Sequence, residues 1–286
     1  TPNLAALTLL MTMMPKGGDL HHHYSGAIYA ETYLDWMKRL GYCVYRADYP
    51  ARKAAKFTIE KTPGQLPAEA RGLCLDGDAV LLPQNLAFYR DLLSTWSDKD
   101  FYNHSQLQSA PDQHFFATFG FFGTVSDYKP EKGLAQLKAR AVAENVQYIE
   151  TMLTRVPLPA AEAFPRTIDG LPPDAGDAQL QPVLERLFEV FATDPAMDRA
   201  VGNYLSELAT FAAGIDDATF TLRFQTYVVR NDKPADIFRG LYASFAAASR
   251  GGKVVGVNIV APENWHVSMR DYTLHMRMFA FLKRKF

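Results

Sequence analysis

The sequence has little net charge, little cysteine and no long apolar run. Its 286 residues carry 30 Lys+Arg against 31 Asp+Glu, a formal charge of −1, which argues against nucleic acid or an anionic membrane surface as the main partner. The longest apolar stretch, residues 4–14, is about half of the roughly 20 residues that a transmembrane helix needs. We therefore expect no nucleic-acid partner and no membrane span. The 48% of hydrophobic residues predict a soluble globular protein with a substantial core.

The two cysteines are Cys43 and Cys74, and they flank a stretch rich in proline and glycine, which predicts a loop. Two interpretations stay open. A disulfide that closes this loop needs an oxidising compartment, whereas two buried free thiols would suit a cytoplasmic protein. The first residue is Thr1, which a removed signal peptide would explain. We expect a periplasmic or secreted protein, with a cytoplasmic location as the alternative.

Strand patterns alternate with helix patterns along the chain. Four segments predict strands, and six further segments predict helices. Three of the strand segments are rich in β-branched, aromatic or apolar residues, and the first is a short candidate that Ser25-Gly26 ends. The predicted strands cover residues 18–23, 146–153, 219–229 and 254–260, and the predicted helices cover residues 27–40, 130–145, 180–192, 200–213, 234–249 and 268–285. This alternation is typical of a parallel α/β fold. The nearly continuous apolar run at 254–260 is typical of a strand buried on both faces, and Ser268 is expected to cap the last helix.

The number of strand–helix units bounds the architecture. A (β/α)8 barrel needs eight strands, usually within about 250 residues, whereas four units are found here, interrupted by insertions at about 41–110 and 154–215. We predict that residues 1–286 are the N-terminal half of one (β/α)8 TIM-type barrel. Because half a barrel exposes the edges of its sheet, we expect further sequence in the native protein. The proline-rich residues 155–178 follow a strand, so they form either a loop at the active-site face or a mobile surface insertion.

The sharpest local signal is the histidine run within residues 19–26, which reads Asp-Leu-His-His-His-Tyr-Ser-Gly. Residues two apart in a strand point to the same side and lie about 6.5–7 Å apart. His21 and His23 are therefore placed to aim two imidazoles at one metal ion, and zinc suits such ligands. His22 points the opposite way. The alternative is a set of core or surface histidines that bind no metal, because a zinc site needs more ligands than these two.

Several segments resemble the adenosine deaminase family of metal-dependent hydrolases, and they follow the family's order across most of the chain. Residues 14–23 resemble its first-strand signature, residues 115–119 its Phe-rich helix over the purine pocket, residues 148–150 its second strand and residues 254–263 its fourth. The resemblance is nearest to the larger adenosine deaminase-related and growth-factor-type members. It implies a zinc-dependent (β/α)8 barrel that removes the 6-amino group of adenosine by attack of water and releases ammonia.

The resemblance also implies roles for individual residues. His21 and His23 would be two of the Zn²⁺ ligands. A purine nucleoside would be contacted by five further residues, which are Ser25, Phe115, Phe116, Phe119 and the backbone of Ala261. The three phenylalanines would line an apolar pocket or lid, although their spacing of i, i+1 and i+4 suits plain helix core nearly as well.

Three positions depart from the family's pattern. Ser25 stands where ordinary members carry an aspartate that contacts the ribose, and a serine is a weaker, non-ionised partner. Ala261 stands where the family usually has glycine, and Met152 stands where it often has arginine. The substrate is therefore adenosine or another 6-aminopurine derivative.

The family's remaining metal ligands are not found in the sequence. Its fifth strand carries a His-Ala-Gly-Glu motif with a third zinc ligand and the glutamate that shuttles protons, and later strands add a histidine and an aspartate. Neither His266, in the loop after the fourth strand, nor His275, in a helix pattern, is a good substitute. We therefore expect no catalytic residue among these 286 residues and no activity from them alone.

Three functions stay open. The first is zinc-dependent hydrolytic deamination of adenosine or a related 6-aminopurine nucleoside. The second is a catalytically inactive relative of the family that binds or signals. The third is a zinc hydrolase of the same superfamily that acts on another substrate. Family relatives also suggest a homodimer formed through the insertion that holds both cysteines.

Overall fold

The computed structural model describes residues 3–47, 56–99, 101–103 and 109–286. Its strands are β1 (Gly17–His23), β2 (Cys43–Ala47), β3 (Lys56–Glu60), β4 (Leu75–Asp76), β5 (Val146–Met152), β6 (Thr221–Val229) and β7 (Val254–Val260). Its α-helices are α1 (Leu4–Met13), α2 (Tyr24–Ala27), α3 (Ala30–Arg39), α4 (Ala68–Arg71), α5 (Gly77–Val80), α6 (Leu86–Trp96), α7 (Pro111–Phe122), α8 (Pro130–Ala143), α9 (Asp177–Thr193), α10 (Pro195–Phe211), α11 (Pro234–Ser249), α12 (His266–Arg270) and α13 (Tyr272–Lys285). The chain divides into two compact units, one made of Thr1–Tyr24 with Leu134–Phe286 and the other of Ser25–Gly133.

The first unit is built on a four-stranded sheet in the order β1-β5-β6-β7, in which every neighbouring pair is parallel. One or more helices precede each of β5, β6 and β7 in the sequence. The prediction of a parallel α/β fold is confirmed. The four predicted strands agree with observed strands to within two residues at either end. Three of them, β5, β6 and β7, carry dense local runs of β-branched, aromatic and apolar residues, whereas β1 has a single apolar residue, Leu20.

Side chains alternate along β6 between two environments. Four residues of this strand, Leu222, Phe224, Thr226 and Val228, are buried, and the residues between them are half-buried. The buried side faces α11, since the Thr226 hydroxyl lies 3.3 Å from that of Ser244 on this helix. A helix therefore covers one face of the sheet and leaves the polar positions of β6 on the other.

Two predictions about the end of the chain are wrong. β7 is not buried on both faces, because Val255 is 46% exposed and the residues after it are half-buried; within the described residues, helices cover one face of this sheet. Ser268 is not a helix cap. It lies inside α12, where its hydroxyl is 2.5 Å from the Pro262 carbonyl oxygen and 2.7 Å from Asn231 Oδ1, and Asp271 separates α12 from α13.

The proline-rich loop after β5 packs onto the first unit. Ile168 is fully buried, and the Arg166 guanidinium donates to both carboxylate oxygens of Asp236, at 3.1 and 2.8 Å. Asp169 accepts the main-chain N–H of Ala235 at 2.8 Å. Because this N–H belongs to the first turn of α11, the loop carboxylate caps that helix. The structure therefore supports a docked loop that leaves the carboxyl end of β5, rather than a mobile insertion.

The second unit contains a three-stranded antiparallel sheet in the order β3-β2-β4. Cys43 and Cys74 form a disulfide with a Cα–Cα distance of 5.5 Å, which decides between the two interpretations of the cysteines. Cys43 begins β2 and is buried. Its strand partners, Glu60 and Asp76, are distant in sequence, so local composition does not show them. The predicted insertion at 41–110 lies partly outside the described residues.

The large apolar side chains of α1 are exposed. Within the part of the chain that the structure describes, no helix has both the length and the apolar character that crossing a membrane requires.

Candidate functional site

Three histidines occupy the last positions of β1, at the carboxyl edge where parallel α/β folds bind ligands. The imidazole rings of His21 and His23 lie on the same side, with centres 5.2 Å apart and planes at 72°. The His22 ring points to the other side, where its Nδ1 is 2.8 Å from Thr151 Oγ1. This arrangement follows from the alternation of side chains along a strand.

Burial lowers the proton affinity of two of these imidazoles. The pKa of His22 is lowered to about 4, mainly by burial. The pKa of His23 is lowered below its ordinary value by burial first and by the neighbouring His21 second. His22 and His23 are therefore neutral at about pH 7, and a neutral imidazole is the form that ligates metals.

A chain of hydrogen bonds connects His21 to the other three strands of the sheet. Asn258 Nδ2 on β7 donates to His21 Nδ1 and to Gln225 Oε1, both at 3.1 Å. On β6, Gln225 Nε2 donates to Glu150 Oε2 at 2.7 Å and to the Leu20 carbonyl oxygen at 2.8 Å. Each of the four strands thus contributes at least one polar side chain to a continuous chain of hydrogen bonds on the sheet face that lies opposite α11.

Tyr148 forms the far end of this chain, and its hydroxyl donates to Glu150 Oε1 at 2.9 Å. Burial and this hydrogen bond raise the pKa of Tyr148 above its ordinary value. Two glycines leave room for the polar side chains. A Cβ on Gly18 would lie 3.1 Å from the Tyr148 ring, and one on Gly256 would lie 3.2 Å from Gln225 Cγ, so a larger residue at either position would displace its neighbour.

The sequence analysis missed Gln225 and Asn258 as members of the site. Asn258 is the one polar residue in the apolar run 254–260, and Gln225 lies on the half-buried side of β6. The polar Asn258 within an otherwise apolar strand was thus the signal from which the sequence could have indicated a site residue. Which side chains it meets depends on strand order, and that order is not encoded locally.

Two of the described histidines match part of what a zinc site requires. His21 and His23 fit in type and spacing, since two imidazoles on one tetrahedral zinc ion have ring centres about 5 Å apart. Among the residues that the structure describes, no three His, Cys, Asp or Glu side chains are grouped so as to hold a metal ion. A catalytic zinc site needs about three protein ligands, so the two histidines do not complete one by themselves. His266 is exposed at the start of α12, and His275 is buried in α13.

The three candidate phenylalanines form a cluster on α7 in the second unit. The ring centre of Phe115 is 5.2 Å from that of Phe116 and 5.3 Å from that of Phe119. Phe115 is 40% exposed, and the other two are half-buried. The residues that α7 buries are instead His114, Thr118 and Phe122. The three rings are therefore not plain helix core, and they present a partly exposed aromatic surface.

The other candidate positions are divided between the units. Ser25 belongs to the second unit, where its main-chain carbonyl oxygen accepts from the Tyr33 hydroxyl at 2.6 Å. Met152 belongs to the first, is buried, and is the register partner of His23. Ala261 follows β7 with a φ of 97°, in the region that favours glycine. Its backbone is therefore glycine-like, although its side chain is not.

Comparisons with known proteins give structural likeness without a family assignment. No family model matches the sequence, and a search of curated proteins found no match. Among solved structures, an Arabidopsis ADAL complexed with IMP is 13% identical with a TM-score of 0.48, over 96% of this chain and 56% of that one. An amidohydrolase from Burkholderia ambifaria with bound Zn is 14% identical with a TM-score of 0.41, over 98% of this chain and 52% of that one. The chain spans about half the length of these two structures.

Proposed function

We propose that this chain is part of a zinc-dependent aminohydrolase with a (β/α)8 barrel, which deaminates adenosine or a related 6-aminopurine nucleoside and releases ammonia. The observation that carries the proposal is the His21–His23 pair at the carboxyl end of the first parallel strand, with ring centres 5.2 Å apart. The sheet order supports it, because β1, β5, β6 and β7 neighbour one another in chain order, as the first four strands of such a barrel would.

The chain's own residues divide the work of binding and orientation. His21 and His23 would hold the metal ion, and a zinc ion lowers the pKa of a bound water and polarises the bond under attack. The main-chain N–H of Ala261 would face the purine edge. Ser25 and the aromatic cluster of Phe115, Phe116 and Phe119 are proposed as substrate contacts on the resemblance to the family. The group that shuttles protons would lie outside the described residues.

Zinc retention tests the proposal directly. The protein, expressed from its complete gene, is loaded with zinc, dialysed and analysed by mass spectrometry for metal content. We expect about one zinc ion per chain, lost when His21 and His23 are both replaced with Ala. The matched control is His266→Ala, which changes an exposed histidine in α12 and should retain the metal. Full retention by the double variant would show that the site is wrong.

Turnover on the same samples separates the remaining functions. Ammonia release from adenosine that is lost in the double variant supports the proposal. Zinc without turnover of any 6-aminopurine favours a zinc hydrolase with another substrate, or an inactive relative. Absence of metal favours the inactive binding or signalling relative alone.

We also propose a periplasmic or secreted location and a homodimer. The location is supported by the Cys43–Cys74 disulfide, since such bonds persist in oxidising compartments. Alkylation of freshly lysed cells should leave both thiols unlabelled, and labelling before reduction would indicate the cytoplasm. Sedimentation of the purified protein measures the oligomeric state.

A further inference from the structure

The amide of Gln225 has only one orientation that suits its neighbours. Its Nε2 lies 2.8 Å from the Leu20 carbonyl oxygen and 2.7 Å from Glu150 Oε2. A carbonyl and a carboxylate accept hydrogen bonds and do not donate them. Turning the amide over would place an oxygen against both acceptors, so Gln225 has to present its Oε1 to Asn258.

The orientation of Asn258 follows from that of Gln225. Asn258 Oδ1 accepts the main-chain N–H of Ile259 at 2.7 Å, and Gln225 Oε1 requires a donor, which is Asn258 Nδ2 at 3.1 Å. The second hydrogen of this NH₂ group is directed at His21 Nδ1, 3.1 Å away. Asn258 is therefore the donor in the last bond of the chain, and the imidazole is the acceptor.

We infer that Asn258 is a positioning residue that holds His21 in the tautomer with its proton on Nε2, and that it thereby opposes metal binding at the proposed zinc site. A neutral imidazole carries one proton, so an accepting Nδ1 requires Nε2–H. The lone pair of Nδ1 is directed at Asn258, and Nε2 is protonated. In the metal-free protein neither nitrogen of His21 then has a free lone pair, so zinc has to displace a hydrogen bond or a proton, which weakens its binding.

Metal-ligating histidines have the reverse arrangement. They donate their second ring N–H to a carboxylate, a backbone carbonyl or a water, which fixes the ring and leaves the other nitrogen for the metal. The amide nitrogen of Asn258 takes the place of that acceptor here. The inference rests on the proposed function for its consequence, because zinc would bind only after the amide chain is broken or turned.

Asn258→Asp exchanges donor and acceptor in the hydrogen bond between residue 258 and His21 Nδ1. One carboxylate oxygen keeps the Ile259 N–H, and the other accepts from His21 Nδ1–H, which leaves Nε2 unprotonated. Gln225 Oε1 loses its donor in this variant. Exchanges of such supporting partners change metal affinity by roughly 10–100-fold, so we expect Asn258→Asp to bind zinc more tightly by a factor in this range. Asn3→Asp is the control. It adds the same charge at the cap of α1, where Asn3 Oδ1 accepts from Ala6 N–H.

Nitrogen NMR of the metal-free protein reads the tautomer without any reference to zinc. With ¹⁵N-labelled histidine at about pH 8, and with His21 assigned by its absence in His21→Gln, we expect Nε2–H in the wild type and in Asn3→Asp. Asn258→Asp should give Nδ1–H. If that variant does not fold, as circular dichroism would show, Asn258→Ala replaces it and should lose the pure Nε2–H signal. Nδ1–H in the wild type, or an unchanged tautomer in the folded variant, overturns the inference.

Zinc affinity, measured by competition with a coloured chelator, tests the consequence. Tighter binding by Asn258→Asp supports it, and equal or weaker binding overturns it. If no variant binds zinc while the tautomers are as expected, the proposed function has failed and the assignment of Asn258 as the donor stands. The two failures are therefore distinguishable.

Discussion

The two faces of the parallel sheet are built from the same strands and have opposite chemistry. On the face against α11, Phe224 and Val228 are buried, and Thr226 meets Ser244 of the helix. On the other face, Asn258 and Gln225 bond to one another and extend the chain to His21. Because neighbouring residues of a strand point to opposite faces, one residue step separates side chains that stabilise the fold from side chains that form the candidate site.

The largest expected effect on stability comes from removing a buried side chain of the apolar face. Phe224→Ala removes a fully buried ring and should lower the free energy of unfolding by about 3–5 kcal/mol, because the lost contacts leave a cavity. The adjacent Gln225→Ala changes the polar face and should cost only about 0.5–1.5 kcal/mol. Urea denaturation of both variants measures the difference, and equal losses would contradict the division between the faces.

A second test compares polar residues on the two faces of one strand. Thr151 is fully buried, and its Oγ1 lies 2.8 Å from His22 Nδ1. Thr151→Val should cost about 1–3 kcal/mol, because it leaves that nitrogen without its buried partner. Its neighbour Glu150 is half-buried. Glu150→Gln keeps an oxygen that accepts the hydrogen bond from Gln225, so we expect the free energy of unfolding to fall by less than in Thr151→Val. The comparison fails if the Glu150 variant unfolds at the lower urea concentration.

The loop after β7 offers a gain in stability. Ala261 has a φ of 97°, and such a residue costs roughly 1–3 kcal/mol, which glycine relieves while adding entropy to the unfolded chain. We expect Ala261→Gly to raise the melting temperature slightly. Ala213→Gly, at an exposed residue outside the positive-φ positions, should be neutral or destabilising. A lower melting temperature for Ala261→Gly would show that this conformation is not strained.

The smallest expected effect is a loss of stability at acidic pH. His275 is buried in α13, and burial is the main reason why its pKa is lowered, while Asp271 raises it and Arg230 and Arg270 lower it further. Because the unfolded state binds the proton more readily, the free energy of unfolding should fall as pH drops through about 6.5.

His275→Leu should reduce this loss without abolishing it, because the pKa of His22 is also lowered by burial. Urea midpoints at about pH 7.5 and 5.5 measure the loss. If the urea midpoint falls equally between these pH values in the wild type and in His275→Leu, His275 does not contribute to the loss of stability in acid.

The parallel strands were predictable and the antiparallel ones were not. Strands such as β6 are long runs of β-branched and aromatic residues, and that signal is local. β4 has two residues, and the partners of Cys43 are Glu60 and Asp76. Pairings over such separations leave no periodic pattern within one segment, so the second sheet and its disulfide emerged only in the folded chain.

The same distinction holds within the candidate site. The order of the amino acids is enough to place His21 and His23 on one side of β1 and His22 on the other, since the period of a strand is a property of local backbone geometry. That Asn258 donates to His21, and that Glu150 orients the Gln225 amide between them, depends on how the strands assemble. The first of these contacts joins residues 237 positions apart in the chain and the second joins residues 75 positions apart, and only the order and register of the four strands bring them together.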